Sequence, residues 1–132
     1  MPTQNDHGTA RSVAVPPADG LTVELSYPRE RTAVCLLAGE LDVETLAPAE
    51  EALEQLVAAG PQVLVVDLER VGFCDSSGLN LLLKARLAAT AAGSDFRVAA
   101  PSPMVRRVLE LTGANTVLSL HESTEAALAA TA

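Results

Sequence analysis

Only two cysteines and two histidines occur in the 132 residues, and basic side chains are outnumbered, 9 Lys and Arg against 17 Asp and Glu. Each shortage removes a class of function. Cys35 and Cys74 are too few and too widely separated for a disulfide framework or a four-ligand zinc site, and their apolar neighbours predict buried thiols in a reducing compartment. A formal charge of −8 leaves no basic face to neutralise a phosphate backbone, so no nucleic-acid partner is expected, and any effect on transcription must pass through another protein. With His7 and His121 as the only histidines and no Gly-x-Ser-x-Gly elbow, a serine hydrolase would lack its base. No phosphate-cradling glycine loop, zinc-protease helix or dinucleotide fingerprint occurs, and no cofactor or metal is expected. No uncharged stretch approaches the ~18 residues of a membrane span, and the start Met1-Pro2-Thr3-Gln4 has neither the basic head nor the apolar core of a signal peptide. The expectation is a cytoplasmic protein with no membrane partner.

What is present is enough apolar material, 48% of residues, for one core. Residues 1–20 mix Pro2, Gly8, Pro16, Pro17 and Gly20 with small and polar residues and read as a flexible tail; residues 21–132 read as a single domain. Leu21 to Tyr27 alternates apolar and polar, the period of a strand with one wet face, and Pro28-Arg29-Glu30 turns it into an antiparallel second strand, Arg31 to Ala38. Val43 to Ala59 carries Leu46, Leu53, Leu56 and Val57 at helical spacing and stops at Gly60-Pro61. Val63 to Leu68, apolar throughout but for Asp67, is a run of the kind buried on both faces of a sheet reached by crossover helices. A second helix is predicted over Ser76–Ala91, a strand over Asp95–Ala100, a helix from Ser102-Pro103 to Gly113, a strand over Thr116–Leu120 and a last helix capped by Ser123. The fold class is therefore α/β, a mixed sheet of about five strands with about four packed helices.

The segment carrying chemistry is Phe73-Cys74-Asp75-Ser76-Ser77-Gly78-Leu79, where a loop turns into a helix behind the central strand. Its plainest reading is a helix cap, since Asp and Ser accept backbone N–H bonds and Gly allows close packing. A hydroxyl at a helix start is also suited to a phosphoryl switch, because the dipole and unpaired N–H groups there tolerate an added anion. On a helix beginning at Ser76, one side collects Gly78, Leu81, Leu82, Ala85, Ala88 and Ala89, the expected core face. The opposite side collects Ser76, Leu79, Asn80, Leu83, Lys84 and Leu87, which predicts an apolar contact stripe next to the serine. A phospho-aspartate receiver centred on Asp67 is disfavoured, because no acidic pair follows the first strand and no lysine follows the last. Arg106 and Arg107 are expected to be solvated or paired with Glu110 on their own helix.

Four segments in this order, Gly39-Glu40-Leu41-Asp42, Val66-Asp67-Leu68, the Asp75-Ser76-Ser77-Gly78 turn and Ser102-Pro103-Met104-Val105, resemble the STAS domain of bacterial anti-sigma-factor antagonists, over about residues 21–130. The resemblance implies a non-enzymatic module that binds an anti-sigma factor when unphosphorylated, freeing a sigma factor. That anti-sigma factor is often also the serine kinase that switches the antagonist off, and a phosphatase is a further implied partner. Ser76 matches the modified serine and Ser77 its neighbour, the second choice. Asp75, Ser76, Ser77, Gly78, Leu79, Asn80 and Leu83 are the expected partner contacts, with Gly39, Glu40 and Asp42 as contacts or loop formers. Two rival functions differ in class: a small enzyme using Ser76 as nucleophile, and a STAS-type sensor or docking module that is never phosphorylated.

Overall fold

The computed structural model describes residues 13–15 and 20–130. Six strands form one sheet in sequential order: β1 (Val13–Val15), β2 (Leu21–Arg29), β3 (Thr32–Leu41), β4 (Val63–Cys74), β5 (Asp95–Ala99) and β6 (Ser119–His121). The pairs β1/β2 and β2/β3 are antiparallel, whereas β3/β4, β4/β5 and β5/β6 are parallel. Parallel neighbours need crossovers, supplied by α1 (Ala47–Ala59), α2 (Ser76–Ala91) and α3 (Pro103–Thr112), while α4 (Thr124–Ala129) closes the fold.

The alternation in β4 divides the core. Leu64, Val66 and Leu68 point into the large cluster built with α1, α2 and α3; Val65 points the other way, where Val34, Ala99 and Ala127 of α4 form a small second cluster. Both faces of β4 are thus dry from Leu64 to Leu68, as that run, apolar but for Asp67, required. Polar side chains fasten α4 on the second face. Thr124 donates to the buried Asp67 carboxylate at 2.5 Å, and Asp67 also accepts from the N–H of Glu69 at 2.9 Å. The buried Arg97 donates to the carbonyls of Ala127 and Ala130 and pairs with Asp95 at 2.8 Å.

Four expectations are corrected. Val13–Val15, predicted as part of the flexible tail, pairs with Val23–Leu25, since a Val-Ala-Val run can add to the free edge of β2; residues 1–12 and 16–19 of that tail lie outside the described residues. Strand β4 continues six residues past Leu68, because β3 offers it partners as far as Leu41↔Cys74, with register irregularities near Ala38 and Glu40 absorbing the added length. The first long helix begins at Ala47 instead of Val43, because residues 42–45 are held in a turn by Asp42 and Thr45. The last strand starts at Ser119, after a 3-10 turn over Ala114–Thr116.

Candidate functional site

The parallel strands β3 and β4 end side by side, with Glu40 opposite Phe73 and Leu41 opposite Cys74, so that the β3–α1 loop and the start of α2 share one end of the sheet. Asp75 is the N-cap of α2. Its carboxylate accepts from the N–H of Gly78 at 3.0 Å, while its own N–H donates to the Leu41 carbonyl at 3.2 Å. Gly78 is buried against that same carbonyl: a Cβ there would stand 2.4 Å from the Leu41 oxygen and 3.0 Å from the Cys74 sulfur. The Asp-Ser-Ser-Gly order is therefore a docking device. Asp caps, Gly permits contact, and the serines fall on the first turn.

Ser76 occupies the first helical position, is exposed, and its hydroxyl makes no hydrogen bond among the described residues. Since Asp75 fulfils the capping role, the Ser76 oxygen is left over for other chemistry. Ser77 is half-buried. Asn80, one turn on, is exposed, and Leu83 after it is half-buried against the core.

The expected contact stripe is corrected at Leu79, which is 9% exposed and belongs to the core, and Ala88, expected inside, is exposed. The buried strip of α2 is broad, taking in Gly78 with Leu79 and Leu81 with Leu82, because the helix packs on β4, β5 and α1 together. A period of 3.6 fixes which residues share a side and leaves open how wide a strip the neighbours cover. Leu87 alone of the three leucines is truly outside, at 63%.

The β3–α1 loop is rigidly tied. The Thr45 hydroxyl, in a residue 4% exposed, donates to the Glu40 carbonyl at 2.6 Å and accepts from the Asp42 N–H at 3.0 Å. The Asp42 carboxylate accepts from the N–H groups of Glu44 and Thr45 at 2.9 and 3.1 Å. Asp42 is thus a loop former. Gly39 is one too: its φ is +119°, and a Cβ would collide with the Gly20 carbonyl at 1.7 Å, while Glu40 next to it donates its N–H to that carbonyl at 2.7 Å and keeps its side chain exposed.

This loop presents Val43 to solvent at 68%, and the adjoining end of β4 presents Phe73 at 40%. The sequence reading missed both as contact residues. Helical spacing places Val43 on a helix, and only the Asx turn at Asp42, three residues before Thr45, signals a loop. Segments 39–46 and 73–79 carry Glu40, Asp42, Glu44 and Asp75 and no Lys or Arg, so the surface these two segments share is acidic. Burial pushes the Cys35 thiol up to about 12; burial and then the Asp75 charge push Cys74 up to about 11. Neither thiol is a nucleophile near neutral pH.

His121, half-buried on β6, shares a hydrogen bond of 2.9 Å with Ser119, and among the described residues none hydrogen-bonds Ser76 as a base would. No group of three or more His, Cys, Asp or Glu side chains among the described residues could hold a metal ion, and no described helix is long and apolar enough to cross a membrane. Arg106 and Arg107 form no ion pair among the described residues, Glu110 included.

Known proteins share this fold. A family model described as "Mlab, STAS domain" matches residues 27–122. The chain belongs to the STAS domain family. It is 34% identical over 110 residues to the anti-sigma-F factor antagonist RsfB of Mycobacterium tuberculosis, which covers 83% of this chain and 88% of that protein. The crystal structure of an anti-sigma factor antagonist from Mycobacterium paratuberculosis superposes with a TM-score of 0.75 at 32% identity, covering 88% of this chain and 96% of that one. The phosphorylated form of the Bacillus cell fate determinant SpoIIAA gives a TM-score of 0.62 at 26% identity, covering 79% of this chain and 95% of that one.

Proposed function

We propose that this STAS domain is an anti-sigma-factor antagonist. It docks an anti-sigma factor of the serine-kinase type through the acidic surface that segments 39–46 and 73–79 share, releasing a sigma factor, and phosphorylation of Ser76 ends the docking. The observation that carries this reading is the exposed hydroxyl of Ser76, unbonded among the described residues, on a helix start fixed independently by Asp75 and Gly78. The contact surface is Ser76, Asn80 and Leu83 on α2, Glu40 and Val43 on the loop, and Phe73 beside them. Gly39, Asp42 and Gly78 hold that surface in shape, and Ser77 is the second choice for modification. The protein acts in the cytoplasm by binding and not by catalysis, and a phosphatase resets it.

A phosphate adds about −1.5 to −2 charge at pH 7. On the first turn of α2 the helix dipole accommodates it, so the fold survives. In a docked complex it would lie among Glu40, Asp42, Glu44 and Asp75 and be stripped of water, a cost of several kcal/mol unless the partner supplies cations. The expected loss of affinity is at least ~100-fold, about 2.7 kcal/mol. Affinity capture from host lysate with wild type, Ser76→Ala and Ser76→Glu tests this, alongside mass spectrometry of the native protein. Ser76→Ala should retain a kinase-type anti-sigma factor that Ser76→Glu loses. Identical capture profiles, or phosphate confined to another residue, would refute the switch and leave the unmodified docking module.

A further inference from the structure

Helices α1 and α2 do not close on each other along their whole length. A groove of about 260 Å³ runs between them, floored by Leu53 and Val57 of α1 and by Leu81, Ala85 and Ala88 of α2. The cause is the small side chains at 85 and 88, which leave a trough where a leucine would have formed a ridge. The volume falls below the ~300–1,000 Å³ usual for a buried small molecule or cofactor, and fits the side chains of a docked helix. From Glu50 to Ala58 the groove follows α1 for about 12 Å, the length of two helical turns.

Its rim fixes the sign of the occupant. Glu50 and Glu54 stand one turn apart along α1, and the sole cation of the lining is Lys84, 3.9 Å from Glu50. That pair is largely solvated, with side chains 65% and 39% exposed, so it is weak and readily exchanged. Glu54 has no ion pair or hydrogen bond among the described residues. The rim therefore has a carboxylate to spare.

We propose that the α1/α2 groove docks a basic amphipathic helix of a protein partner. Apolar residues of that helix one turn apart enter the trough between Leu53 and Leu81, and its Lys or Arg residues take up Glu54 and displace Lys84 from Glu50. The groove flanks α2 without including Ser76, so this contact is insensitive to modification of that serine. It would keep a partner tethered while the other surface is switched.

The test is a titration of the isotopically labelled protein, followed by amide NMR, with a synthetic 14-residue helical peptide of leucine, alanine and lysine that has leucines spaced 3, 4 and 7 apart. Shifts should concentrate at Leu53, Val57, Leu81 and Ala88. Glu54→Lys, a surface change that leaves packing untouched, should weaken binding tenfold or more, as should Ala88→Trp, which fills the trough. A peptide with glutamate in place of lysine should not bind, and Ser76→Glu should bind like wild type. Shifts scattered away from the groove, no binding by the lysine peptide, or wild-type affinity in Glu54→Lys or Ala88→Trp would overturn the proposal. Failure there leaves the Ser76 reading standing. The exposed Met104, Arg107 and Leu111 of α3 make a second copy the rival occupant; concentration-dependent self-association abolished both by Leu111→Glu and by Ala88→Trp would assign the groove to it and overturn the proposal.

Discussion

Replacing Gly78 by alanine adds one methyl group at the point where α2 meets β3. The new Cβ would lie 2.4 Å from the Leu41 carbonyl oxygen, whereas a carbon beside a carbonyl oxygen rests at about 3.3 Å, so helix or strand must retreat by about 0.9 Å. The obstacle is backbone and cannot rotate away. Overpacking of this kind costs ~1–3 kcal/mol, and stretching the 3.2 Å bond from Asp75 N–H to the same carbonyl adds up to about 1 kcal/mol. Alanine's better helix propensity returns at most ~1 kcal/mol. The net is a destabilisation of about 2 kcal/mol, or roughly 8 °C in Tm for a domain of this size. Because the shift carries the first turn of α2 with it, Ser76 moves as well, and partner affinity should fall even in the folded variant. Guanidinium denaturation and calorimetry read the first effect. Gly72→Ala is the control: it adds the same methyl group where nothing lies within 4 Å, so it should stay within about 0.5 kcal/mol of wild type. Equal stability of the two variants would refute the reading that α2 is seated directly on the end of β3.

Thr45→Val removes a buried hydroxyl that donates to Glu40 and accepts from Asp42; it should cost about 2 kcal/mol and weaken docking at the Ser76 end without touching the serine, which the same denaturation and capture measurements would show. Thr124→Val leaves the buried Asp67 carboxylate one donor short, and an expected loss of about 2 kcal/mol should come with faster amide exchange confined to α4. Both cysteines should be silent to a thiol reagent at pH 8 in the native protein and react fully in denaturant, because burial holds Cys35 at about 12 and Cys74 at about 11. The His121 ring is held below its ordinary value by burial first and then by Arg97, with Asp95 opposing. The unfolded chain therefore binds a proton that the folded one resists, so this contribution to stability is fully present above about pH 6.5 and is lost as the pH falls below it. His121→Gln should flatten the stability profile in that window, and an unchanged slope would contradict the assignment.

Much of this molecule is fixed by local chemistry that can be read along the chain. The run Val63–Leu68, with Asp67 its one polar residue, has too little polar surface to face water on either side and so had to lie inside a sheet; Asp75, Ser76 and Gly78 stand in the order that caps, presents and seats a helix; Ser102 with Pro103, and Ser123, open α3 and α4 where their cap hydrogen bonds are found. These are properties of a residue and its near neighbours, and they survive any tertiary arrangement. Contacts between segments distant in sequence decided the rest. Leu79 is buried because α2 is covered on more than one side, and Val43 is exposed because Asp42 and Thr45 lock its loop away from helix. Strand β4 outruns its apolar run because β3 is there to pair with it, and Arg97 can sit in the middle of a strand, 4% exposed, only because the end of α4 supplies carbonyls for its guanidinium. Periodicity sets which side chains travel together. Which of them meet water depends on partners that sequence spacing does not encode.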